Sequence, residues 1–193
     1  MKAFLNDTKV KEKYLSRVRA HASADEIIKG QYWEDGKGCA VGCTIHSSDH
    51  DKYEKLLGIP QWLAYLEDSI FEGLPNGEAK GFPEQFLSAI NVGADLTLVY
   101  HKFMIWLLVD PFQGVLRFAD ERGAVAIKRV AELHQLELGP TEGRPDSSAW
   151  AAAWAAAGDD AWAAAGAAAG ADAGAAAIIS QRDALLRLLR ETV

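Results

Sequence analysis

The sequence predicts a mainly α protein: a compact helical body, one small β-hairpin and a long Ala-rich C-terminal helical segment. Three observations lead there. Apolar residues recur at helical spacing in most windows of the 193-residue chain. One Gly-rich turn, Glu34-Asp35-Gly36-Lys37-Gly38, carries the only β signal. Between Ala149 and Ala177, 19 of 29 residues are Ala, the residue with the highest helix propensity. Pro and Gly in Gly139–Pro145 read as a linker, so residues 1–138 form the body, 139–146 the connection and 147–193 the tail.

Thr8–Ala22 carries Val10, Tyr14, Leu15 and Val18 on one helical face. Ser23-Ala24-Asp25-Glu26 has the form of a capping box and predicts a short second helix ending at Gly30. Gln31-Tyr32-Trp33 and Cys39–Ile45 would be the two hairpin strands. Ser47 or Ser48 caps a helix over Asp49–Leu57, with Gly58 as its stop and Pro60 opening the next. That next helix sets Trp62, Leu63, Leu66 and Ile70 on one stripe, with Glu67 and Asp68 facing solvent. Pro83 starts a short helix bearing Phe86, Leu87 and Ile90. Asp95 caps Leu96–Val109, whose Phe103–Val109 run is apolar all round and reads as a buried central helix, with a strand as the competing assignment. Val125, Ile127, Val130, Leu133 and Leu136 predict one more helix.

In the tail a marker recurs at every fourth position: Trp150, Trp154, Gly158, Trp162, Gly166, Gly170 and Gly174. Four residues exceed the ~3.6 of a helical turn, so the markers advance ~40° per repeat and spiral instead of forming one stripe. Interior glycines weaken the helix, while small residues allow close approach of another helix, including one from a second copy. Ala161–Ile179 is nearly long enough to span a bilayer, but Ala is weakly apolar and Asp172 interrupts it, so docking against protein is the expectation.

Charge and composition exclude several classes. A net charge of −7 argues against a nucleic-acid binder held by a basic surface. Two Cys cannot make a disulfide scaffold, and free thiols suit a bacterial cytoplasm. The opening MKAFLNDTKVKEK lacks the apolar stretch of a signal peptide. Residues 1–29 are net basic and 49–84 net acidic, an asymmetry able to steer a charged partner.

Chemistry concentrates in Gly36–His50. Cys39, Cys43, His46 and His50 have the spacing C-x3-C-x2-H-x3-H, and thiolate and imidazole are suitable Zn2+ ligands. In a strand rising ~3.3 Å per residue, however, the two cysteines lie about 13 Å apart, too far to share an ion. The same four residues are candidates for a Cys nucleophile activated by His, with Asp49 or Asp51 orienting the imidazole. The plainest reading makes the thiols core residues and the histidines helix flanks. Lys37, Gly38 and Gly42 could present N–H groups to an anion, although neither the P-loop nor GxGxxG pattern is present. No cofactor other than Zn2+ is suggested.

The stretch GKGCAVGCTIHSSDHDKYEKLLGIPQWLAYLEDSIFEGLPN, followed by an Ala/Trp-rich tail, resembles a group of proteins carried by bacteriophages and prophages. The group has no settled activity, so the resemblance assigns no catalytic role. It implies an accessory protein that binds a host component without catalysis, in counter-defence or exclusion, the component being a host protein or a small nucleotide. A Cys/His- or Zn-dependent enzyme and an assembly protein multimerising through the tail are the alternatives.

Overall fold

The computed structural model describes residues 2–156 and 174–193. Among them the protein is mainly helical, with one two-stranded antiparallel hairpin and a C-terminal helix, Gly174–Arg190. Contacts divide the chain into two units, Met1–Thr97 with Leu185–Val193, and Leu98–Ala184. These divisions fall elsewhere than the Pro/Gly loop 139–146, which itself contains a short 3-10 turn, Thr141–Gly143.

In the first unit, α1 (Thr8–Ser23) begins where the Asp7 side chain accepts from the Lys9 N–H, and it buries Tyr14 and Val18. Ser23 does not open a second helix, contrary to the capping-box reading. Its hydroxyl bonds back to the Arg19 carbonyl, and residues 24–32 are irregular. The hairpin pairs β1 (Trp33–Glu34) with β2 (Lys37–Gly38), Trp33 opposite Gly38. Asp35 and Gly36 turn it with φ of 49° and 81°, the two positive values a tight hairpin turn requires.

Cys39–Ile45 is a helix and not the second strand. Cys39 stands at the N-cap of α2 (Ala40–Ile45), its Sγ accepting from the Gly42 N–H at 3.4 Å. Val41, Thr44 and Ile45 favour strands locally, but all six helical residues are buried, and packing overrides that preference. Gly42 is required here. A Cβ at that position would stand 1.6 Å from the Tyr32 carbonyl oxygen, so only glycine lets the hairpin lie against α2.

A short α3 (Lys52–Leu57) ends at Gly58 with φ 63°, and α4 (Gln61–Gly73) follows Pro60, as expected. The orientation of α4 differs from expectation. Its buried residues are Leu63, Ala64, Glu67, Ile70 and Phe71, so Glu67 points inward, Asp68 is half-buried, and Trp62 and Leu66 are only half-buried. The short α5 (Asn76–Ala79) leads to α6 (Phe82–Ala89), which adds Phe82, Phe86 and Leu87 to the core. Leu185, Leu186, Leu188 and Leu189 of the C-terminal helix are buried in this unit, and the Asp95 N–H donates to the Val193 carbonyl.

The second unit holds α7 (Val99–Val109) and α8 (Glu121–Glu137) packed together. The Phe103–Val109 run is helical, which settles the strand alternative, but it is not buried all round. Only Val99 and Phe103 are buried in α7, and Trp106 is half-buried with its neighbours. The Asp120 side chain caps α8, and Ala126, Val130 and Leu133 form a small core with Ala153 of the helical stretch 147–156. Val125 and Leu136, expected on the buried stripe, are exposed. The markers Gly158, Trp162, Gly166 and Gly170, together with Asp172, lie outside the described residues. Among those described, no helix is long and apolar enough to cross a membrane.

Candidate metal centre

Three elements of the first unit bring one polar cluster together. The N-cap of α2 supplies Cys39, the turn before α3 supplies His50, and α4 supplies Asp68. One ligand atom from each lies within 4.8 Å of the others. His50 is clamped between a stacked Tyr65 ring, centroids 5.1 Å apart, and the edge of Tyr32 at 5.0 Å. Its Nδ1 is 3.3 Å from the Ser48 carbonyl, which can only accept, so Nδ1 carries the hydrogen.

The other nitrogen, Nε2, faces Asp68 Oδ2 at 3.5 Å and makes no hydrogen bond; neither does Asp68 Oδ1. Buried polar atoms are rarely left this way. A carboxylate, a thiol and an imidazole nitrogen therefore converge with two of their atoms making no hydrogen bond.

Electrostatics favour the protonated forms of Cys39 and His50. Burial, then the Asp68 carboxylate, pushes the Cys39 thiol far above its ordinary range. The Asp68 carboxylate, 3.5 Å from Nε2, raises His50, working against burial. Both groups are thus biased towards holding a proton where a metal would sit, so proton and metal compete for the same atoms.

The donor set suits a transition metal. Sulfur, nitrogen and oxygen on three side chains are donor types that Zn2+ accepts. Bonds of ~2.0–2.3 Å place tetrahedral ligands roughly 3.3–3.7 Å apart, so closure requires movement of about 1 Å. The Nδ1–H to carbonyl bond also supplies the outer partner that fixes a ligating imidazole.

The same geometry disfavours a Cys–His–Asp relay. There the imidazole uses one nitrogen for the nucleophile and the other for the carboxylate. Here Ser48 occupies Nδ1, and Asp68 lies on the Nε2 side. The fully buried, protonated Cys39 is also a poor nucleophile.

Cys39 and His50 are buried, whereas the Asp68 side chain keeps 14% exposure and reaches a cleft of about 280 Å³. Gly30, Gln31, Tyr32 and Glu72 line the rest of that cleft. No protein-family model, curated protein or solved structure matches the chain.

The other sequence candidates go elsewhere. Cys43 points its Sγ at the carbonyls of Gly38 (3.3 Å) and Glu26 (3.6 Å), and burial pushes it up to about 12. His46 joins a separate chain: its Nε2 lies 2.7 Å from His21 Nε2, while His21 Nδ1 lies 2.6 Å from Glu26. His46 stacks on Trp33, and burial with the nearby Arg17 lowers its affinity for a proton. Asp49 and Asp51 are exposed; the Asp49 carboxylate accepts from the Asp51 N–H and the Asp51 carboxylate from the Gln61 side chain. The Gly38 N–H donates to Glu26 O and the Gly42 N–H to Cys39, so neither is free for an anion, and Lys37 is exposed on the hairpin.

Sequence reasoning missed Asp68, Tyr53 and Glu67. Glu67 is wholly buried, accepts from the Tyr53 hydroxyl at 2.7 Å and is pushed far up by burial. The signal was present in its register: Glu67 lies on the Leu63–Ile70 stripe of α4, and Asp68 follows on the flank facing α2.

Proposed function

We propose that the protein binds one divalent transition metal, Zn2+ foremost, through Cys39, His50 and Asp68, and that the open fourth position acts on a ligand entering by the Tyr32–Glu72 cleft. The observation that carries this reading is the unsatisfied pair, His50 Nε2 and Asp68 Oδ1, buried beside a thiol. A bound cation would lower the Cys39 thiol until it ligates as thiolate. It would also polarise a carbonyl or a water at the fourth position, the chemistry of a Zn-dependent enzyme. His50 is held by its ring neighbours and Ser48, so it needs little reorganisation to bind. Equilibrium dialysis with elemental analysis tests the reading. One Zn2+ per chain is expected, lost in Cys39→Ser and Asp68→Asn and kept in Cys43→Ser. Retention of Zn2+ by both ligand variants would refute it.

The second reading is the non-catalytic accessory protein suggested by the resemblance to phage and prophage proteins, binding a host protein or a small nucleotide. It is supported by α7, whose apolar Met104–Val109 run is only half-buried throughout. Affinity capture from bacterial lysate, comparing the parent chain with Leu107→Glu, tests it. A partner retained equally by both would count against α7 as the surface.

A further inference from the structure

We propose that His21 and His46 form an acid-operated latch, which holds the hairpin against α2 at neutral pH and releases it when both rings are protonated. None of Cys39, His50 and Asp68 takes part.

Three segments of the first unit meet here. α1 supplies His21 in its last turn, α2 ends at His46, and the irregular stretch before the hairpin supplies Glu26. The two Nε2 atoms lie 2.7 Å apart, and His21 Nδ1 lies 2.6 Å from a Glu26 carboxylate oxygen. A carboxylate only accepts, so His21 Nδ1 carries a hydrogen. In the neutral ring His21 Nε2 is then bare and accepts from the His46 Nε2–H. One hydrogen lies between the rings. A first added proton, taken up at His46 Nδ1, keeps it so: an imidazolium now donates to a neutral imidazole. A second, taken up at His21 Nε2, leaves two donors and two positive charges face to face with no acceptor, and the contact breaks.

That contact helps to dock the hairpin. His46 stacks on Trp33 of β1 with ring centroids 4.6 Å apart, and Trp33 also meets the His21 ring edge-on at 5.5 Å. His46 sits at φ 54°, a left-handed conformation costly for a residue other than glycine, so the surrounding contacts must hold it there. Its exposure lets protons reach it from solvent. Besides His21, the charged groups acting on it are Arg17 of α1 and Glu26. Burial first, then Arg17 and His21, disfavour a proton on His46, while Glu26 favours one, and the net shift is downward. The Arg17 guanidinium is fixed by a 2.9 Å bond to the Thr44 carbonyl of α2. A histidine lowered in this way favours the closed form above its ordinary range, and that preference is lost as pH falls.

The open form binds one proton more than the closed pair. Each pH unit below about 6.5 therefore favours it about tenfold, reaching about thirtyfold at pH 5. Hydrogen exchange of the full chain, with the intrinsic chemical rate divided out, reads this at the Gly38 and Cys39 amides, which donate to the Glu26 and Gln31 carbonyls. From pH 7.5 to pH 5 their protection should fall by about thirtyfold relative to the buried Ile70 amide of α4. In His46→Asn, whose side chain suits a left-handed position and does not titrate, that fall should vanish. Parent amides that merely track Ile70 overturn the latch, as does an equal fall in the variant. Nitrogen-15 shifts of the parent imidazoles give a second reading that needs no variant. At pH 7.5 one of the two Nε2 atoms should be protonated and the other bare. Both protonated at either pH, with the Gly38 and Cys39 amides still protected, overturns the latch.

Discussion

Acidification should destabilise the second unit through His134. This imidazole is 1% exposed; its Nδ1 lies 2.9 Å from His101 Nδ1, and its Nε2 makes no hydrogen bond. Burial first, then the charge of His101, lowers its pKa from 6.5 to about 4, with Glu137 pulling weakly the other way. Tyr100 and Trp150 complete its surroundings with ring contacts.

A histidine with a lowered folded pKa binds fewer protons folded than unfolded between those two values. Its contribution is therefore fully present above pH 6.5 and lost progressively as pH falls towards 4. Linkage over that interval gives about 2 kcal/mol at pH 5, approaching about 3 kcal/mol below pH 4. Urea unfolding of the parent chain and His134→Gln, each at pH 7.5 and 5, isolates the effect. The parent should lose about 2 kcal/mol more than the variant on acidification. Equal losses, or an NMR titration placing His134 at or above 6.5, would refute the reasoning.

Gly42→Ala forces a Cβ into the Tyr32 carbonyl at 1.6 Å and should cost several kcal/mol or abolish folding, whereas Gly36→Ala meets open space and costs only the strain of its φ of 81°, about 1 kcal/mol; denaturant midpoints distinguish them. Tyr53→Phe strands the buried Glu67 carboxyl and should destabilise by about 1–3 kcal/mol in the same assay, with Glu67→Gln, which keeps an acceptor for the Tyr53 hydroxyl, losing less. Both thiols are buried and held protonated, so neither should react with an aromatic disulfide reagent at pH 8 until the protein is unfolded. Rapid labelling of Cys39 in the folded chain would contradict its burial.

Helices with local stop and start signals were legible in the sequence. Gly58 and Pro60 bound α3 and α4 because a left-handed cap and a fixed φ act within a residue or two. Asp35-Gly36 was legible as a turn for the same reason. Cys39–Ile45 was misread because its β-branched residues favour a strand, and only the approach of Tyr32 to Gly42 shows the helix being buried under the hairpin. Cys39 and His50 were both named among four candidate ligands, but with Cys39 in a strand nothing separated that pair from Cys43 and His46. The Ser23–Glu26 capping box failed because the Glu26 side chain is engaged by His21 five residues earlier and its carbonyl by the Gly38 N–H twelve residues later. Asp68 was set aside as a solvated acid because no local pattern records which flank of α4 meets Cys39 and His50.

X-ray absorption at the Zn edge of the Zn-loaded chain tests the central claim most directly. One sulfur at about 2.3 Å with nitrogen and oxygen ligands at about 2.0–2.1 Å is expected, the sulfur disappearing in Cys39→Ser. A shell of two sulfurs, or of nitrogen and oxygen alone in the parent chain, would contradict a centre built from Cys39, His50 and Asp68.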